Sequence, residues 1–256
     1  QVLFGAYGQF KFGNTTVDFI GASSKGQKKE INITGKSQAQ QFEVTGDNYE
    51  SNRHYFLNAY HHDNYDKGMS TLPIPNTTIN LTRIEVWVMN RTNETENTRN
   101  IIAFSDLGEA KPENCEGDPG NYATADLPLN DANGLYKWAS VDAPGIRSFS
   151  NATQTLAAQI SAPGPFQQAV HYEKVENARK LNESEFSYSA QLGFISLNMP
   201  LNNDEVLAVS YEYTYRGDTY QVGEFSTDGI AGQDALIVKL MSKQVWFTSL
   251  ILADGL

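Results

Sequence analysis

The stretch Thr82–Gly108, TRIEVWVMNRTNETENTRNIIAFSDLG, decides how the chain is read. Ile84, Val86 and Val88 alternate with Arg83, Glu85 and Trp87, the two-residue period of a strand with one face buried. Asn90–Asn100 is a run of Asn, Thr and Glu that cannot bury enough apolar surface to pack, so it reads as a loop. Ile101–Phe104 is short and wholly apolar, as suits a central strand, and Gly108 punctuates its exit. The stretch therefore predicts a structural strand pair, with Ile84, Val86, Ile101 and Phe104 in the core and no catalytic group.

Upstream, Val2–Phe12 alternates as well, with Val2, Phe4, Ala6, Gly8, Phe10 and Phe12 on one side and Gln9 and Lys11 on the other. Gly13-Asn14-Thr15 is a short turn signal, and Val17, Phe19 and Gly21 resume the alternation against Asp18 and Ile20. Two strands of about ten residues joined by a tight turn have the length of outer-membrane barrel staves. An ordinary soluble hairpin has the same pattern. Ser23–Glu30 reads as a loop, and Lys29–Thr34 and Gln41–Thr45 as further strands. Arg53–Lys67 shifts to helical spacing, with acids before it and Lys67-Gly68 closing it.

Downstream, Glu109–Gly134 is broken by Pro112, Gly117, Pro119, Gly120, Pro128 and Gly134 into a long loop excursion. Ser150–Ile160 predicts a short helix with Ser150 as N-cap and Leu156 and Ile160 one turn apart. Tyr172–Leu181 fits neither the helix nor the strand template. Phe186–Phe225 reads as a meander with a tight hairpin at Arg216-Gly217-Asp218, and Ala235–Leu240 as one more apolar strand.

The whole chain has 256 residues, 40% hydrophobic and 19% charged, enough for a substantial core in one or two domains. A formal net charge of −11 with no Lys/Arg cluster argues against a nucleic-acid partner. One cysteine, Cys115, excludes an internal disulfide framework. No apolar run reaches the length of a transmembrane helix. With no initiating Met and no signal peptide, the chain reads as a piece of a longer polypeptide. Eight Asn-x-Ser/Thr sequons read as the by-product of an Asn/Thr-rich composition, several falling within apparent strands.

Chemistry is sparse. There is no G-x-S-x-G, H-E-x-x-H, phosphate loop or C-x-x-C. A thiol mechanism would need the fold to bring His54 or His171 to Cys115. His61, His62 and Asp63 are adjacent and so point in different directions, a poor metal cage, and read as a solvated helix face. Asn130–Gly134 resembles part of a calcium loop without its terminal bidentate Glu and reads as a plain turn. Tyr211, Tyr213 and Tyr215 read as cross-strand packing before a carbohydrate platform. A glycosidase-type carboxylate pair has no recognisable spacing in sequence. No catalytic, cofactor-binding or metal-ligating residue is assigned, and no enzyme is expected.

Four phrases, QVLFGAYGQFKFGN at 1–14, ESNRHYFLNAYHHDNYDKGM at 50–69, TRIEVWVMNRTNETENTRNIIAFSDLGE at 82–109 and FISLNMPLNNDEVLAVSYEYTYRGDTYQVGEFS at 194–226, resemble the SprA/Sov family. These are giant outer-membrane translocons of the type IX secretion system of Bacteroidetes, also named for gliding motility. The resemblance runs from Gln1 to about Leu240, while Val245–Leu256 departs from it. It implies a very large single-chain β-barrel that passes folded cargo, insertions that cap the pore, a lateral opening, and shuttle and plug subunits as partners. It brings no catalytic residues.

The expected architecture is then mainly β with a few short helices: a two-stranded outer-membrane barrel-type hairpin at 1–24, a β-rich extramembrane, cap-like insertion at 25–241, and an unassigned tail at 242–256. The expected function is a segment of a protein-secretion translocon that gates or lines the path of cargo without catalysis. Its expected partners are cargo proteins, other translocon subunits and outer-membrane lipid, with no cofactor. A short Gly13–Thr15 turn belongs at the periplasmic end of a barrel, which puts the insertion on the cell-surface side, the periplasm being the other option. The competing reading is a soluble extracytoplasmic β-sandwich that binds carbohydrate through Trp87 and exposed tyrosines.

Overall fold

The computed structural model describes residues 3–12, 15–24, 50–71, 73–92, 94–110, 127–161 and 164–241. The chain forms two units, residues 1–43 and 44–256. The first contains β1 (Leu3–Phe12) and β2 (Thr15–Ser24), ten residues each, paired antiparallel from Leu3↔Ser24 to Phe12↔Thr15. The register sets Phe10 opposite Val17 and Gln9 opposite Asp18, so the alternation read in each strand is in phase across the pair. Ten residues at about 3.3 Å each give roughly 33 Å of strand, which at a tilt of about 40° spans about 25 Å, the height of an outer-membrane apolar band.

The second unit runs in the order β3 (His54–Phe56), α1 (Ala59–Asp63), α2 (Tyr65–Met69), β4 (Ile79–Val88) and β5 (Thr98–Phe104). A helical stretch follows: α3 (Leu135–Lys137), a π-turn at Trp138–Asp142, a 3₁₀ turn at Pro144–Ile146 and α4 (Ala152–Ala158). Then come β6 (Tyr172–Lys180), β7 (Phe186–Ser189), β8 (Phe194–Leu197), β9 (Leu207–Tyr215), β10 (Asp218–Val222) and β11 (Leu236–Met241).

Five of these strands close on themselves. β9 pairs with β11, β11 with β5, β5 with β6, β6 with β4, and β4 returns to β9. All the pairs are antiparallel except β11 with β5, where Leu236↔Ile101 and Val238↔Ala103 run parallel. β10 continues beyond β11 along the far half of β9, from Val222↔Tyr211 to Asp218↔Tyr215. A separate three-stranded sheet has the order β3-β8-β7.

Closure explains the burial. One face of each barrel strand points inward, where Trp87, Ile101, Ala103, Val175, Ala178, Ala208, Leu236 and Val238 form a closed cluster with Val206. The other face carries Val86, Ile102, Phe104, Val209, Tyr211, Tyr213 and Ile237 into a larger core shared with Leu135, Ile146 and Leu156 of the helical stretch and Ile195 and Leu197 of β8. With five strands the interior is narrow enough for one indole and a few aliphatic chains to fill it, so this barrel is a solid core with no lumen.

Several expectations need correction here. The alternation in β4 predicts one buried face, yet Glu85 and Trp87 are buried as deeply as Val86 and Val88, because a closed barrel has no solvent face on that side. Ile84 is only half-buried, while Val86, Ile101 and Phe104 are fully buried as expected. β4 and β5 are not partners, since β6, from the far half of the chain, lies between them. A bulge between Leu81 and Arg83 keeps Ile79 and Leu81 on the same face as Ile84, Val86 and Val88 despite the change of parity.

Tyr172–Leu181 is ambiguous in sequence because β6 is also irregular. Its register shifts opposite Arg99/Ile101 and Asn177 adopts φ +49°, so Tyr172, Val175 and Ala178 are buried at intervals of three. The helix expected over Arg53–Lys67 is split: His54–Phe56 pairs with β8, and only after Asn58 does the chain turn helical. Gly68 lies inside α2 and not after it. The α4 N-cap is Asn151 instead of Ser150, and Ile160 falls beyond the helix end and is exposed. The 186–225 meander is divided, with β7–β8 in the small sheet and β9–β10 in the barrel sheet. β2 takes in Ser23 and Ser24, expected as loop. Gly13-Asn14, the strands expected at Lys29–Thr34 and Gln41–Thr45, Cys115 with most of its loop, and the tail 242–256 lie outside the described residues.

Candidate functional site

Three buried polar assemblies tie the second unit together. At the inner face of β4, Glu85 accepts from the Ser226 backbone N–H and hydroxyl (2.8 Å each), Arg83 (3.1 Å) and Lys180 (3.4 Å). Arg83 also lies 3.8 Å over the Phe225 ring. On the outer face of β11, Lys239 is buried and contacts Glu109 (2.6 Å) and the Ser105 carbonyl (2.5 Å), fastening the turn after β5 to the barrel. Glu224, 2% exposed, accepts both arms of Arg147 (2.5 and 3.0 Å), the Ile237 backbone N–H (2.8 Å) and the Tyr136 hydroxyl (3.0 Å). The carboxylate raises the Arg147 pKa, and burial first, then Glu224, raises that of Tyr136. Glu85 and Glu224 each accept from four donor atoms, as a buried ion needs.

The sequence candidates are used the same way. Asn58, extended at φ −166°, caps α1: its Oδ1 accepts the His61 backbone N–H at 3.1 Å and sits 2.8 Å from His61 Nδ1. Its Nδ2 donates to the Tyr211 hydroxyl at 2.6 Å. Since Oδ1 is fixed as acceptor by the backbone donor, Nδ1 must carry the His61 proton and Nε2 is left bare. His61 is fully buried, contrary to a solvated face, and burial lowers its pKa to about 3. His62 contacts Asp63 at 2.9 Å, and His54 bridges Glu50 and Ser196. Among the described residues no group of three His, Cys, Asp or Glu is arranged to hold a metal ion.

Asn130 and Asn133 serve as turn fasteners. Asn130 Oδ1 accepts from Gly223 N–H at 2.8 Å, and Asn133 Oδ1 from Leu135 N–H at 3.1 Å. Tyr211 and Tyr213 are wholly buried, with Tyr213 stacked on Tyr220 at 5.4 Å and its hydroxyl donating to the Pro128 carbonyl. Trp87 is 1% exposed inside the barrel, where no sugar ring reaches it.

One concavity stands apart from these assemblies. A cleft of about 270 Å³ lies between α1–α2, the run Asn76–Ile79 and the turn Gln191–Leu192. Buried Ile79, His61 and Leu192 form its floor, and Lys67, Asn76, Thr78 and Gln191 its exposed rim. Gly68 makes the close approach possible, since a Cβ there would stand 3.0 Å from Leu192 and 3.1 Å from Thr77. Sequence reasoning missed this site because its parts are separated by more than a hundred residues and each is an ordinary surface polar group. The nearest signal was Gly68, which reads in sequence as a helix stop.

No curated protein sequence matches the chain. A family profile, SprA_N, described as motility related/secretion protein, matches residues 1–212. The match ends inside β9, while the barrel is completed by β11. Covering more than half of the sequence, it agrees with the resemblance read from the phrases at 1–14, 50–69, 82–109 and 194–226, and the chain belongs to the SprA N-terminal family of motility-related secretion proteins.

Proposed function

We propose that this chain is a segment of an outer-membrane translocon of the type IX secretion system, and that it gates or lines the path of secreted proteins by shape instead of by catalysis. The observation that carries the reading is β1–β2, an antiparallel pair with staves of barrel-crossing length, in a family of secretion proteins. Flanking strands of the parent would pair with the two outer edges of this hairpin, which is marginal alone in water.

The second unit fits a rigid extramembrane element. Its barrel is solid, its outer face is covered by protein, and its buried Glu85 and Glu224 each accept from four donor atoms. That suits a wall or cap better than a channel or an enzyme. Cargo, shuttle and plug subunits are the proposed partners, with the hairpin in lipid and the second unit on the cell-surface side. The carbohydrate-module reading loses its main anchors, because Trp87, Tyr211 and Tyr213 are buried.

The test is made in cells that carry the parent protein. Val238→Asp puts a charge into the barrel interior and should unfold the second unit while leaving the hairpin sequence intact. Secreted proteins should then disappear from the medium while the parent still fractionates with the outer membrane. An unchanged secreted fraction, with the second unit shown to be unfolded by its protease sensitivity, refutes the gating role. For sidedness, Ile160→Cys on a Cys115→Ser background exposes one thiol at a position 82% accessible. A membrane-impermeant maleimide should label it on intact cells; labelling only after permeabilisation places the unit in the periplasm.

A further inference from the structure

The cleft between α1–α2 and the approach to β4 offers polar groups that the fold itself does not use. The Asn76 N–H donates to the Gly68 carbonyl, and the Ile79↔Tyr215 pairing commits the Thr78 C=O to the β4–β9 ladder, but the Thr77 N–H and C=O and the Thr78 N–H make no hydrogen bond to another described residue. The side-chain amides of Asn76 and Gln191 and the Lys67 ammonium, all at the rim, are likewise without a partner among the described residues. No carboxylate lines the cleft, which excludes a metal ion as its natural occupant. On its aromatic side the Tyr65 ring packs edge-on to Phe56 at 5.4 Å and to Phe194 at 6.3 Å.

We propose that this cleft binds a short extended segment of polypeptide bearing an acidic side chain. A peptide offers N–H and C=O groups in alternation, the complement of the unpaired Thr77 N–H and C=O and the Thr78 N–H, and recognition by main-chain pairing is the usual way such a template is read. The carboxamides of Asn76 and Gln191 each present one acceptor and two donors in a plane, which matches a peptide bond bidentately. Ile79 and Leu192 give the apolar floor for one side chain, and Lys67, the sole charge, selects an acidic neighbour. This deepens the secretion reading above and rests on it only for a supply of secreted proteins, whose extended termini and loops reach this surface.

The test is fluorescence anisotropy of the 256-residue chain with two labelled, end-capped hexapeptides of Ser and Val, one with a central Asp and one with Lys in its place. The Asp peptide should bind saturably and more tightly than the Lys peptide. Asn76→Ala with Gln191→Ala removes two side-chain hydrogen bonds and should weaken binding by about thirtyfold. Lys67→Glu should reverse the preference. All three side chains are exposed, so an unchanged near-ultraviolet spectrum certifies the fold of each variant. Absence of saturation, equal binding by the double variant, or an unaltered preference in Lys67→Glu each overturns the proposal. These outcomes leave the secretion role standing, since that role is read from secreted protein in cells and not from peptide binding.

Discussion

Acidification should loosen the second unit through one side chain, His61. The imidazole is fully buried in its Nδ1–H tautomer, held by Asn58 and packed 6.2 Å from the Tyr211 ring. Burial keeps it neutral, with a folded pKa of about 3 against an ordinary 6.5. A depressed histidine pKa means that the unfolded chain binds the proton first. The stabilisation is complete above pH 6.5 and is lost as pH falls toward 3. At about 1.4 kcal/mol per pH unit, the loss is about 2 kcal/mol by pH 5 and about 4–5 kcal/mol by pH 3. Other groups also titrate in this range, so the reference is His61→Gln, which carries no titratable proton. Urea unfolding of both proteins at pH 7.5 and pH 5.0 isolates the His61 contribution. At pH 7.5 the wild-type chain should be the more stable, and by pH 5.0 its advantage should shrink by about 2 kcal/mol. Parallel loss of stability in the two proteins would refute both the burial argument and the tautomer assignment behind it.

Three further outcomes follow from the packing. Phe104→Ala, in the wall between the barrel and the helical stretch, should cost about 3–5 kcal/mol, and an unchanged urea midpoint would remove Phe104 from the core. Arg147→Ala strands the buried Glu224 carboxylate and should cost about 3–5 kcal/mol at neutral pH, whereas replacing both partners by Met should recover much of that loss in a double-mutant comparison. Ending the chain at Tyr215, just past the family match, removes β10 and β11 and opens the ring between β5 and β9. That product should lose its near-ultraviolet circular dichroism, and a native-like spectrum would show that closure is dispensable.

The local features of the fold were legible in the sequence for local reasons. The in-phase alternation of β1 and β2, the apolar run of β5, and the Arg216-Gly217 turn with both residues at positive φ depend on neighbours a few positions away. Family membership was legible too, because it rests on long phrases and not on contacts. What only the tertiary structure decided is which strands meet. β6 separates β4 from β5, and β11 runs parallel to β5 across about 130 residues, pairings that no periodicity encodes. Closure then overrode the alternation in β4, since Trp87 and Glu85 look solvent-facing until the ring places them inside. The bulge near Leu81 and the left-handed Asn177 shifted the parity of β4 and β6, so a period-two template failed there. The same holds for His61 and for the cleft. The acid sensitivity of a histidine and the binding surface of Asn76, Lys67 and Gln191 depend on burial and juxtaposition, which the sequence specifies only through the folded chain.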